Sequence, residues 1–282
     1  MNLLKLKEMM TQFLLEDIGD RDISADTLFT PDMIGEFTIY AKEHGVYCGQ
    51  SIIDCGFLLL HPTMIITHFI QDGQSIQSGD KIAMITGPIT YLLSGERVIL
   101  NLIQRLSAIS TLTAYAVAQT TNTTTRICDT RKTTPGLRLL EKYAVRVGGG
   151  FNHRNGLYDC VMLKDNHISF AGSITEAVQA ISNRIGHTVK IEVEVETKQQ
   201  LLEAVSAGVD IIMLDNRSPE EIRLWQPLIP ASIITEVSGG ITLATIPHYA
   251  QLGVDWISLG ALTHSVRSLN MSASVRLKEV SH

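Results

Sequence analysis

The chain has 282 residues, 45% of them apolar, and a net charge of −6, enough apolar material for one large domain or two modest ones, and two are expected. The acidic balance argues against nucleic acid as the main partner, because binding to a phosphate backbone needs a basic face. Cys48, Cys55, Cys128 and Cys160 form no CxxC pair and show no zinc spacing, so neither a disulfide framework nor a structural metal is expected.

In chain order, the start Met1-Asn2-Leu3-Leu4-Lys5 lacks the uninterrupted apolar stretch of a signal peptide and turns acidic at Glu16-Asp17. No apolar run approaches the roughly 20 residues of a membrane span, so the expectation is a cytoplasmic protein without membrane contact. The first hundred residues combine a helical start with β-rich stretches, Glu36–Tyr40 and Met64–Phe69, separated by turn clusters such as Gln71-Asp72-Gly73 and Ser78-Gly79-Asp80, as in an α+β module. Val98, Leu102, Leu106, Ile109 and Leu112 then recur at helical spacing, so a helix over Gly95–Thr120 is expected to lead into a second domain. The polar run Thr120–Thr125 reads as a loop.

Beyond it, short β-rich runs alternate with helical windows. Strands are predicted at Thr125–Cys128, Cys160–Leu163, Val189–Val195, Ile211–Leu214, Ile233–Val237 and Trp256–Leu259, with helices such as Thr175–Arg184 and Lys198–Ala207 between them. That alternation predicts parallel βα units. The strand ends carry Lys164, Glu194 or Glu196, Asp215, Ser238 and Gly260, and in a parallel barrel these would all face one mouth. Ser238-Gly239-Gly240 and Gly260-Ala261 add small residues where backbone N–H groups can approach a phosphate. Singly, each has a plainer reading: Asp215 could cap the next helix, and one or two of Glu192, Glu194 and Glu196 could be solvent-exposed.

Segment 131–167 holds seven basic residues (Arg131, Lys132, Arg138, Lys142, Arg146, Arg154 and Lys164) against three acids, a net +4, which leaves the remainder at −10. Such an island fits an anionic small ligand, although Arg138, Lys142 and Arg146, at helical spacing, read better as a solvated or ion-paired face.

At Asp129-Thr130-Arg131-Lys132-Thr133-Thr134-Pro135-Gly136-Leu137-Arg138 the chain resembles the quinolinate phosphoribosyltransferase family. The likeness continues through Glu141–Gly150, Asn152–Leu157, Leu163-Lys164-Asp165-Asn166-His167, Glu192–Val195, Leu214-Asp215-Asn216, Ser238–Ile241 and Gly260–Ser265, and reaches Leu15-Glu16-Asp17 and Glu96–Asn101 near the start. The resemblance implies an N-terminal α/β sandwich (1–106), then an incomplete, TIM-like α/β barrel (107–282) whose C-terminal segment can pack back on the first domain. It also implies a homodimer with sites shared between subunits. By the same likeness, Arg97, Arg131, Lys132, His153 and Arg154 line the quinolinate pocket. Lys164, Ser238, Gly239, Gly260 and His264 hold the phosphates of phosphoribosyl pyrophosphate, Glu194 and Asp215 contact its ribose and a magnesium ion, and His167 lies behind them. Lys132, Lys164, Glu194 and Asp215 are the expected catalytic residues. Arg21 stands where the family pattern has glycine, which puts the contact made by that loop in doubt.

The implied reaction makes nicotinate mononucleotide, pyrophosphate and CO2 in NAD biosynthesis, with Mg2+ and no organic cofactor; neither GxGxxG nor GxxxxGK[ST] occurs. A planar dicarboxylate suits several forked guanidiniums. Rival readings are a nicotinate-using phosphoribosyltransferase, the molybdenum-transport-associated relative, a Schiff-base aldolase using Lys164, and a non-catalytic phosphate-ligand sensor.

Overall fold

In the second half of the chain, successive strands are bridged by helices rather than hairpins, and that connection makes neighbouring strands parallel. The computed structural model describes residues 1–277. In chain order the elements are α1 (Leu3–Ile18), α2 (Ile23–Leu28), β1 (Ile34–Ala41), β2 (Gly45–Val46), α3 (Gln50–Leu60), β3 (Ile65–His68), β4 (Ser75–Ile76), β5 (Lys81–Pro88) and α4 (Ile89–Ala118). They continue as β6 (Arg126–Cys128), α5 (Arg138–Val147), β7 (Val161–Leu163), α6 (Asp165–Ala171), α7 (Ile174–Ser182), β8 (Ile191–Val195), α8 (Lys198–Ala207) and β9 (Ile211–Asp215). The last are α9 (Pro219–Trp225), β10 (Ile234–Ser238), α10 (Ile246–Ala250), β11 (Trp256–Ser258), α11 (Ala261–His264) and β12 (Met271–Leu277).

Two compact units result, one of residues 1–112, 139–149 and 266 onward, the other of residues 113–138 and 150–265. α4 runs unbroken through residue 106 and begins at Ile89 rather than Gly95.

In the first unit, α1 starts where the Asn2 side chain accepts the Leu4 and Lys5 amides, and it stops at Gly19 with φ +59°. Its Leu6, Met10 and Leu14, four residues apart, bury one stripe. The sheet runs β12-β1-β5-β3. β1 alternates outward and buried positions, with Phe37, Ile39 and Ala41 inside, and Phe37 meets Phe57 of α3 edge-on at 5.7 Å. The C-terminal strand β12 pairs antiparallel with β1, Gly35 opposite Leu277. At the family departure, Asp22 caps α2 by accepting the Ala25 amide while Arg21 is exposed.

α5 also belongs to this unit, and of the two alternatives for its spaced cations, a solvated or an ion-paired face, full solvation does not hold. Lys142 is buried, Glu141 is fully buried and bonded to Arg105 at 2.7–2.8 Å, and only Arg146 of the three spaced cations is exposed.

The second unit is an incomplete α/β barrel whose six parallel strands follow the order β6-β11-β10-β9-β8-β7. β6 and β7 are its open edges. Beside β6 the chain at Phe151 forms a parallel bridge with Cys128, so residues 151–154 run along that edge. Among the described residues no helix is long and apolar enough to cross a membrane.

Candidate active site

All six strands of the second unit point the same way, so their C-terminal ends gather at one mouth. Lys164 follows β7, Glu194 lies next to the end of β8, and Asp215 and Ser238 end β9 and β10 directly opposite each other. The Lys164 ammonium meets the Glu194 carboxylate. Glu194, Glu196 and Asp215 bring one oxygen each within 4.8 Å of one another. A set of hard oxygens on a half-exposed rim suits a cation such as Mg2+.

Gly239 takes φ +89°, and a Cβ there would lie 2.9 Å from the Asn216 backbone nitrogen. The turn therefore needs glycine on both counts. Asn216, itself at φ 53°, donates its amide to the Ser238 carbonyl at 2.9 Å and its side chain to Asp215 at 2.6 Å. The β9 and β10 ends are thus stitched into one rim.

On the β6 side, a Cβ on Gly260 would lie 2.9 Å from Lys132 Cδ and 3.0 Å from His264 Cδ2, so three predicted residues converge there. The Thr263 hydroxyl donates to the Lys132 carbonyl at 2.8 Å, tying the 130–137 loop to α11. Asp129, fully buried, accepts the Asn152 side chain at 2.7 Å and the His153 amide at 2.9 Å. Arg138 bridges the same two segments, donating to Thr133 at 2.9 Å and to the Asn155 carbonyl at 3.3 Å.

Three guanidiniums crowd here. Burial first, and then the charges of Arg154 and Arg138, lower the Arg131 pKa. Forked donors match a carboxylate.

His153 turns into the barrel. Its Nε2 lies 3.2 Å from Glu192 Oε2 and 3.4 Å from Glu236 Oε1. Burial alone would lower the imidazole, but hydrogen bonds to Glu192 and Glu236 and the charges of both carboxylates outweigh it and lift the ring to about 10. Burial in turn raises Glu192, against the pull of His153. The Arg154 amide lies 2.8 Å from Nδ1 and donates to it when the ring is neutral, with its proton on Nε2. These three residues also bring ligand atoms within 4.8 Å of one another. Beyond them a cavity of about 230 Å³, bounded by Lys190, Ile211, Ile234 and Trp256, reaches the N-terminal ends of the strands.

The second unit therefore holds Lys164, Glu194, Asp215, Ser238 and Gly239 on one side of its mouth and Lys132, Gly260 and His264 on the other. Arg131 and Arg154 are half-buried between loops, while Arg97 is exposed on the part of α4 in the first unit. The His167 Nδ1 accepts the Lys164 amide at 3.1 Å, securing the start of α6.

Residues 22–107 match the N-terminal domain of quinolinate phosphoribosyl transferase and residues 109–274 its C-terminal domain. The chain belongs to the quinolinate phosphoribosyltransferase family. A probable nicotinate-nucleotide pyrophosphorylase [carboxylating] of Bacillus subtilis is 51% identical over 281 residues, covering 100% of this chain and 97% of that protein. The nicotinate-nucleotide pyrophosphorylase [carboxylating] of Homo sapiens is 39% identical, covering 86% and 82%. The crystal structure of NadC from Streptococcus pyogenes superposes with a TM-score of 0.94 at 39% identity and 99% coverage of both chains. Human nicotinic acid phosphoribosyltransferase, at 12% identity and a TM-score of 0.58 over 98% of this chain and 74% of that one, shares the fold alone.

Within this quinolinate phosphoribosyltransferase chain, sequence reasoning passed over Asp129, Asn152, Glu192 and Glu236. Glu192 sat in an alternating strand where exposure was one expectation, and it is instead fully buried. Glu236, directly before Val237-Ser238, carried a usable signal: a carboxylate inside an apolar strand just short of a ligand-type turn.

Proposed function

We propose that this chain transfers the phosphoribosyl group of phosphoribosyl pyrophosphate to the ring nitrogen of quinolinate and releases CO2, giving nicotinate mononucleotide for NAD biosynthesis. The observation that carries the proposal is the joining of the Arg131- and Arg154-bearing loops by Arg138 and Asp129 beside a mouth of lysine, glycine turns and carboxylates; a planar dicarboxylate and a polyphosphate are what these two halves suit. The names of the relatives at 51% and 39% identity support the same reaction.

In this reading Arg131, Lys132, His153 and Arg154 hold the quinolinate carboxylates and aim the pyridine nitrogen at C1 of the ribose. The C1–O bond to pyrophosphate breaks as the N–C1 bond forms. Lys164, His264 and the backbone around Ser238-Gly239 and Gly260 steady the departing phosphates, while Glu194 and Asp215 meet the ribose hydroxyls. Positioning and electrostatics do most of this work. The new pyridinium accepts the electron pair left at C2 when the adjacent carboxylate departs as CO2, and a proton from solvent completes the product. Glu194, Asp215 and Glu196 would hold magnesium, which neutralises pyrophosphate charge when bound. No organic cofactor enters the scheme.

A homodimer belongs to this proposal, with Arg97 of one protomer serving the barrel of its partner, and so does a cytoplasmic location; both rest on the family resemblance. The test of the reaction is substrate choice. Supplied with phosphoribosyl pyrophosphate and Mg2+, the protein is expected to consume quinolinate and leave nicotinate untouched, and preference for nicotinate would contradict the reading.

A further inference from the structure

Glu236 lies in the middle of β10, 4% exposed, and its Oε1 lies 3.4 Å from His153 Nε2; Glu192 of β8 is wholly buried and its Oε2 lies 3.2 Å from the same nitrogen. Buried carboxylates held this way cost stability, and apolar side chains of similar volume commonly do as well or better in such positions. Stability therefore does not account for them. What the two share is His153, whose Nε2 faces both at 3.2–3.4 Å.

His153 comes from the segment along β6, whereas Glu192 and Glu236 stand on β8 and β10, so the imidazole spans the barrel interior. The next residue is held against it: the Arg154 amide lies 2.8 Å from His153 Nδ1, and the Arg154 guanidinium donates across to the Cys160 carbonyl at 3.3 Å. Carboxylates on one nitrogen and an amide on the other leave the ring one orientation. Whatever sets that ring sets the path of the chain into Arg154.

We infer that Glu236, with Glu192 beside it, is a positioning residue for quinolinate: it anchors His153 from inside the barrel and through it aims Arg154. The inference rests on the proposed reading that His153 and Arg154 hold the dicarboxylate.

The experiment compares wild type with Glu236→Met, Glu236→Gln, His153→Ala and the double variant Glu236→Met/His153→Ala, reading melting temperature and the Kd of each substrate by titration calorimetry. Glu236→Met is expected to keep or raise the melting temperature, to weaken quinolinate at least tenfold, and to leave phosphoribosyl pyrophosphate within twofold. Glu236→Gln regains part of the affinity because its amide oxygen still accepts from Nε2, and it serves as the probe should the Met variant not fold. In the His153→Ala background Glu236→Met adds less than twofold, the non-additivity of a residue acting through its partner. Equal weakening of both substrates with a lowered melting temperature makes Glu236 a core residue only and overturns the inference; full additivity with His153→Ala does the same. If His153→Ala itself leaves quinolinate affinity intact, the substrate assignment of that loop falls and the inference falls with it, an outcome distinct from failure of Glu236 alone.

Discussion

Lys164 and Glu194 stand at the ends of neighbouring strands, and their ammonium and carboxylate meet across the barrel mouth. The lysine side chain is 42% exposed and the glutamate 11%, so the carboxylate is the more committed of the two to the site. Lys164→Met removes a charge aimed at the departing phosphates and leaves Glu194 without its cation. Turnover is expected to fall by about 10²–10³, the usual cost of one transition-state donor, with the quinolinate KM little changed. Steady-state kinetics check this, and a turnover within threefold of wild type would remove Lys164 from the machinery.

Arg131→Lys keeps the charge and loses the fork. Each charge-assisted bond contributes about 1.5–3 kcal/mol, so quinolinate binding is expected to weaken roughly tenfold or more. Calorimetric titration with quinolinate measures it directly. An unchanged Kd would show that Arg131 makes no bidentate carboxylate contact.

Gly239→Ala places a Cβ at φ +89° and 2.9 Å from the Asn216 backbone nitrogen. The left-handed conformation alone costs roughly 1–2 kcal/mol, which lowers the melting temperature by about 2–8 °C, and the shifted turn should weaken phosphoribosyl pyrophosphate more than quinolinate. Thermal melts and substrate titrations read both effects. A variant with wild-type melting and phosphate-donor affinity would show that this turn is neither strained nor in contact with substrate.

Burial, and then the Glu192 carboxylate, raises the Cys160 thiol to about 11. A raised thiol is neutral below its pKa, so the reactive thiolate is scarce at neutral pH and grows about tenfold per pH unit up to that value. Iodoacetamide is expected to modify Cys160 roughly 100-fold more slowly than an ordinary thiol at pH 7.5, followed by peptide mapping. Labelling at the rate of an ordinary cysteine would mean that Glu192 and burial do not act on this sulfur.

Local chemistry sets the bounds of some elements, and the predicted bounds met them unevenly: the helix predicted over Thr175–Arg184 runs Ile174–Ser182. The helix predicted over Lys198–Ala207 is α8, and the structure shows why it keeps those bounds: the Thr197 side chain accepts the Gln200 amide and Gly208 ends it in the left-handed region. β12 was not legible in the sequence, because its partner β1 lies at the other end of the chain, and spacing within Met271–Leu277 does not name a partner. The same distinction governs the site. Lys164, Asp215 and Ser238 announce themselves as polar residues at strand ends, whereas Glu236 and Asp129 act from buried positions whose neighbours come from distant segments. Lys142 shows the converse: helical spacing of charges describes a face without saying whether that face is turned to solvent, and this lysine is buried.

Quinolinate labelled with ¹³C in its 2-carboxylate reports on both halves of the reaction at once. With phosphoribosyl pyrophosphate and Mg2+, one labelled CO2 should appear for each pyrophosphate released, and the nicotinate mononucleotide formed should carry no label. Pyrophosphate release without labelled CO2, or a nucleotide product that retains the labelled carboxylate, would contradict decarboxylative phosphoribosyl transfer by this chain.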